Sequence, residues 1–219
     1  MSAVPSAAEA PVRRPRGRPR KAPDALDEGN RRQELLRGAA RLFRSKGFAA
    51  TTTRDIAAAA GMQSGSPFYH FESKAALLFA VMEQGMRSAL QCQADALQAA
   101  LAAAEPATPE SLLRTLVRAH FDVLLGPGSD FIPVMLYEWR SLTPAQRAGI
   151  ARLQRDYEAA WSDALQALCV SGRVRADARV ARLMMLGALN WSVQWYKPKK
   201  GSSLDELSEQ AMQLFLPQP

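Results

Sequence analysis

Cysteine and histidine are nearly missing from this 219-residue sequence. Cys92 and Cys169 cannot form a disulfide framework, and His70 and His120 make no ligand set with metal-site spacing. Neither a metal nor a cofactor is expected. β-Branched residues are few, and no stretch alternates polar and apolar residues between turn signals, which argues against strands. No apolar run approaches the roughly 18 residues that span a bilayer, and the N-terminus lacks an apolar signal-peptide core. A cytoplasmic protein with no membrane partner is expected. The chain has no triad frame, nucleophile elbow, phosphate-cradling glycine loop or paired carboxylates in a catalytic setting, so enzymatic chemistry is not expected either.

What the chain does have is apolar residues at 47%, with abundant alanine and leucine, enough to fill a helical core. Its formal net charge of +7 is concentrated in Arg13, Arg14, Arg16, Arg18, Arg20 and Lys21. Residues 1–29 carry few large apolar side chains and read as a flexible basic arm. Within it, Arg16-Gly17-Arg18-Pro19-Arg20 looks like an AT-hook core. Glycine lets the chain lie flat in a narrow minor groove, and the flanking arginines supply the charge that such a groove attracts. A solvated, nonspecific tail is the alternative. An interfacial membrane helix fits worse, because the block contains Pro and Gly instead of an apolar face.

From Asn30 the pattern becomes helical. Leu35, Leu36, Ala39, Leu42 and Phe43 share one face, and Gly47 ends the helix as a left-handed cap. Thr52 and Asp55 form a capping-box pair for a second helix running to about Ala60. Gly61 permits a reversal, and a third short helix spans Ser64 to His70, with Pro67 tolerated in its first turn. Ser73 caps a long fourth helix that continues past Leu97 toward Leu101. Further helices are expected from Pro109 to Leu125, Phe131 to Arg140, Pro144 to Cys169, Ala178 to Tyr196 and Leu204 to Leu216. The predicted fold is all-α with about nine helices: a three-helix, homeodomain-like helix-turn-helix module at 30–76 and a helical body at 77–219.

Gly47-Phe48, Thr51-Thr52-Thr53-Arg54-Asp55-Ile56-Ala57, Ala60-Gly61, Gly65-Ser66, Phe68-Tyr69-His70-Phe71, Ser73-Lys74 and Leu77-Leu78 together resemble the signature of TetR/AcrR-family repressors. The resemblance implies sequence-specific binding to double-stranded operator DNA. Ser64, Gly65 and Ser66 are small enough to let helix three approach the major groove. Thr53 suits a phosphate and Arg54 a phosphate or base edge, while Tyr69, His70 and Lys74 suit backbone contacts. Pro67 stands where the family usually has an aliphatic residue. Phe68 replaces a frequent tyrosine and lacks its hydroxyl, so its place is in the module core with Phe43, Ile56 and Phe71.

In the body, Tyr137-Glu138-Trp139-Arg140, Trp161 and the run Asn190-Trp191 through Trp195-Tyr196 concentrate aromatic residues. Trp191 and Trp195 are expected on one helical face. The alternative reading is ordinary core. Tyr137–Thr143 and Gly187–Trp191, with Trp195-Tyr196 and Pro198, also resemble TetR members that govern fatty-acid or sterol-side-chain breakdown and sense acyl-CoA thioesters. That resemblance implies a small hydrophobic effector. Tyr137, Trp139, Arg140, Trp161, Asn190, Trp191 and Trp195 are its candidate contacts, and Arg140, Lys197, Lys199 and Lys200 are candidates for phosphates. It also implies that the body at 77–219 is a ligand-binding and dimerisation domain, with a homodimer through the last two helices, and hence a palindromic operator with half-sites about one helical turn, or a multiple, apart. A ligand-independent architectural DNA-binding protein is the competing reading.

Overall fold

The computed structural model describes residues 25–62, 67–198 and 201–216, except for the side chains of residues 25–28, 67 and 68. The arm with Arg16, Arg18 and Arg20 lies outside these residues, as do Ser64, Gly65, Ser66, Lys199 and Lys200. The described residues form nine α-helices and no strand: α1 (Ala25–Lys46), α2 (Thr53–Ala59), α3 (Pro67–His70), α4 (Lys74–Leu101), α5 (Pro109–Leu125), α6 (Phe131–Glu138), α7 (Pro144–Val170), α8 (Ala178–Trp191) and α9 (Leu204–Phe215). The all-α fold therefore stands.

Local signals set most of these boundaries. Thr52 accepts from the Asp55 backbone N–H while Asp55 accepts from that of Thr52, closing the capping box of α2. Ser73, Thr108, Thr143 and Ser203 cap α4, α5, α7 and α9. Gly47 and Gly61 have φ of 82° and 65°, a left-handed backbone that other residues resist, and they bracket the turns on either side of α2.

Three boundaries differ from expectation. The first helix begins at Ala25, ahead of Asn30, because it runs through Gly29. One interior glycine costs only about 1 kcal/mol, which does not stop a helix already propagating. The sixth ends at Glu138 and tightens into a 3-10 turn over Trp139–Ser141, short of Arg140 as an α-helical residue. The eighth stops at Trp191 and passes through a 3-10 turn at Ser192–Gln194, so Trp195 and Tyr196 are not helical and Trp191 and Trp195 share no α-helical face. Pro198 has no N–H to continue the ladder. The Trp195 and Tyr196 N–H groups both return to the Ser192 carbonyl, and the Tyr196 hydroxyl donates to the Ser202 carbonyl across the following loop.

Leu35, Leu36, Ala39, Phe43, Ile56 and Phe71 make the small core under α1 to α3, and Leu77 and Leu78 on the first turns of α4 complete it. The same helix then enters the body, where Val81, Met82, Met86 and Ala89 pack against α5, α6 and α7. At 28 residues α4 is about 42 Å long, so it belongs to both parts. Gly85 makes one close crossing possible: a Cβ there would lie 2.8 Å from Cβ of Phe131 on α6. α9 lies along α5, tied by Arg118 to Asp205 and by Arg114 to Glu209.

Candidate DNA-binding module and effector cavity

On the small module, Thr53 opens α2 half-buried, Arg54 is exposed, and Tyr69 on α3 is 85% exposed, an unusual position for a tyrosine without a partner surface. His70 is half-exposed. Lys74 is placed otherwise than expected. Its ammonium donates to the carbonyls of Phe48 (2.7 Å), Thr51 (2.8 Å) and Ala49 (3.5 Å) and lies 4.4 Å from the centre of the Phe48 ring. An ammonium has three donors, and all three are used to pin the α1–α2 loop to the start of α4.

That loop is also held from the body. Glu138, the last residue of α6, accepts the Phe48 backbone N–H at 2.8 Å and the Ser141 hydroxyl at 3.0 Å. At the other end of α6, Asp130 forms an ion pair with Arg44 of α1 at 3.0 Å. Between these two grips Ile132 and Met135 reach inward and line a cavity in the body. Sequence reasoning missed Arg44 and Glu138. Nothing local distinguishes a carboxylate that bridges 90 residues of chain from one that faces water.

The cavity measures about 60 Å³, opens partly to solvent and is lined by α4, α5, α6, α7 and α8. Met86, Ala89, Leu124, Ile132, Met135 and Leu186 give it apolar walls, and His120, Tyr157, Gln154, Glu158 and Asn190 give it a polar side. A buried chain of hydrogen bonds runs behind that side. Trp161 Nε1 donates to Gln93 Oε1 (3.0 Å), Gln93 Nε2 donates to the Tyr157 carbonyl (3.1 Å), and the Tyr157 hydroxyl meets His120 Nδ1 (2.9 Å). His120 Nε2 in turn lies 3.2 Å from Asn190 Oδ1. A carbonyl oxygen only accepts, so Nε2 carries the imidazole proton and Nδ1 accepts from the tyrosine. Burial holds His120 neutral, with its pKa lowered to about 4 despite the Asn190 bond, and pushes the Tyr157 hydroxyl up.

Of the seven candidate effector contacts, Asn190 alone lines this cavity. Trp161 is fully buried and stands one layer behind, its ring edge-on to His120 at 5.7 Å, so it is core. Tyr137 is half-exposed and its hydroxyl accepts from Gln194 Nε2 at 2.7 Å. Trp139 is half-buried and Arg140 exposed, and neither reaches the cavity. Trp191 and Trp195 face outward; Trp195 borders an outer groove of about 310 Å³ with Tyr196 and Lys197. The sequence did hold a signal for His120 and Gln93. Each interrupts an apolar helical stripe, Leu116–Val117–His120–Phe121–Leu124 on α5 and Met86–Ala89–Gln93 on α4, where a polar residue needs a buried partner.

Short helices α2 and α3 on a small module, joined through α4 to a helical body that holds a pocket, are the architecture of a helix-turn-helix type of DNA-binding regulator. Residues 35–81 match the bacterial regulatory proteins of the tetR family, and residues 106–218 match the tetracyclin repressor-like C-terminal domain. The chain belongs to the TetR family of transcriptional regulators. It is 30% identical over 198 residues to the HTH-type transcriptional repressor KstR2 of Mycolicibacterium smegmatis, covering 89% of this chain and 94% of that one. Among solved structures, AibR in complex with isovaleryl coenzyme A and operator DNA superposes with a TM-score of 0.76 at 26% identity, over 85% of this chain and 98% of that one. A structure described as superantigen PfiT matches with a TM-score of 0.70 at 35% identity, over 88% of this chain and all of the other. The named repressor relatives place the chain among regulators, not enzymes. No helix of the described residues is long and apolar enough to cross a membrane.

Proposed function

We propose that the chain is a dimeric repressor that holds a palindromic operator with α2 and α3 and whose operator affinity is set by an acyl-CoA thioester whose acyl end enters the α4–α8 cavity. One observation carries this reading: α4 and α6 each touch both the cavity and the DNA-binding module. α4 contributes Met86 and Ala89 to the wall and Leu77 and Leu78 to the module core. α6 contributes Ile132 and Met135 to the wall and grips the module through Glu138 and Asp130. An acyl chain that widens the cavity favours whichever arrangement of these two helices leaves it room, and the two recognition helices follow as a population shift. Thr53, Arg54, Tyr69 and His70, with Ser64, Gly65 and Ser66, are the proposed DNA contacts. Arg16, Arg18 and Arg20 are proposed for the minor groove.

The dimer is proposed through α8 and α9. Val180, Leu183, Met184 and Trp191 lie at spacings of three, four and seven on the outer side of α8, all about half-exposed or more, and Leu214 on α9 is 81% exposed. Gly187 has nothing within 4 Å of an added Cβ, so a second helix can approach there. An apolar stripe of this length is a face that wants cover. Support for the thioester comes from the AibR complex and from the apolar wall.

Fluorescence anisotropy of the full chain on DNA from upstream of its own coding sequence, with isovaleryl-, octanoyl- and palmitoyl-CoA in turn, tests the reading. At least one thioester should shift the operator Kd ten-fold or more. Binding that ignores all three would favour the architectural alternative, and no binding to palindromic DNA would reject the repressor reading.

A further inference from the structure

The polar side of the cavity carries unpartnered amide donors and no cation of its own. Asn190 Oδ1 is engaged by His120 Nε2, but its Nδ2 hydrogens find no hydrogen-bond partner among the described residues, and neither does the Gln154 amide. The Tyr157 hydroxyl hydrogen is committed to His120 Nδ1. No lysine or arginine lines the cavity. Its one charged lining group is the Glu158 carboxylate, which is paired with Arg182 of α8 at 3.2 Å. Such a wall has free amide N–H groups for an acceptor oxygen, while the nearest cation, Arg182, stands outside the lining and already balances Glu158, so a carboxylate there would leave one negative charge in excess. An all-hydrocarbon ligand end would in turn leave the Asn190 donors without a bond they make in water.

We propose that the cavity selects an uncharged ligand end bearing a carbonyl oxygen, that Asn190 is the residue that recognises it, and that the matching carboxylate is rejected. This deepens the effector reading and rests on the cavity being the effector site. The volume of about 60 Å³ holds a few waters as it stands, so a larger ligand end must widen it. Met86 and Met135, unbranched and adaptable, are the side chains able to yield.

Two near-isosteric probes test the selection. In 4-methyl-2-pentanone a carbonyl sits beside an isobutyl group, and in isovalerate a charged oxygen replaces the terminal methyl. Ligand-observed NMR titration of the full chain at pH 7 should show the ketone binding at least ten-fold tighter than isovalerate. Asn190→Leu should weaken ketone binding at least five-fold. Equal or tighter binding of isovalerate overturns the proposal, as does failure of the ketone to bind; both readings use the unsubstituted chain and need no folded variant. A folded Asn190→Leu protein with undiminished ketone affinity overturns it too. Isovaleryl-CoA added to the operator complex separates this inference from the reading beneath it. If thioesters leave operator affinity unchanged while the ketone preference holds, the thioester assignment falls and the cavity chemistry stands.

Discussion

Acidification should weaken the fold through His120. In the unfolded chain its imidazole takes a proton near pH 6.5; in the folded chain burial among Tyr157, Trp161 and Asn190 delays this to about pH 4. Above pH 6.5 the ring is neutral in both states and costs nothing. As pH falls through the window from 6.5 to 4, the unfolded state binds the proton first, and stability drops with it. Each unit of separation is worth 1.36 kcal/mol, so the full loss is about 3 kcal/mol, complete near pH 4. Against a typical total of about 5–15 kcal/mol that is a large share. Urea unfolding at fixed protein concentration, pH 7.5 against pH 4.5, measures it in the native chain and in His120→Gln. Other groups titrate alike in both proteins and cancel in the difference. The variant is less stable at pH 7.5, because Tyr157 and Asn190 lose their ring partner, but it should lose about 2–3 kcal/mol less on acidification. Equal losses in the two proteins would refute the buried neutral imidazole.

Gly85→Ala forces α6 away from α4 at Phe131, where an added Cβ has 2.8 Å of room, and should cost about 1–3 kcal/mol in thermal unfolding. Glu138→Ala leaves the half-buried Phe48 N–H without its acceptor, a loss of about 1–3 kcal/mol, and should shrink any thioester-induced change in operator Kd toward unity while Glu138→Gln preserves it; anisotropy titrations read both. Tyr69→Ala, at a highly exposed position, should leave the melting temperature within a degree or two and weaken operator binding ten-fold or more. Leu183→Asp places a charge on the outer stripe of α8 and should give a monomer by light scattering with helicity intact by circular dichroism.

Features that depend on a few neighbouring residues are legible in the sequence. The capping box at Thr52 and Asp55, the left-handed glycines at 47 and 61, the Pro109 helix start and the 3.6-residue apolar stripes define the helices and the helix-turn-helix unit. The family signature lies in this same locally determined stretch. The effector site is not legible in this way. Aromatic content points to Trp161, Trp191 and Trp195, yet one is sealed in the core and two face outward, because ring size reports that a side chain wants burial or contact and not which surface supplies it.

The sequence by itself determined where most helices start and stop and which module carries the DNA-reading turn, since those outcomes follow from hydrogen bonds and backbone angles spanning a few residues. Tertiary structure alone decided that five helices leave a hollow beside His120 and Asn190, that Lys74 serves the α1–α2 loop, and that Glu138 bridges body and module. Each of these depends on side chains tens of residues apart arriving within about 3 Å of one another, and only the packing of whole helices sets that distance.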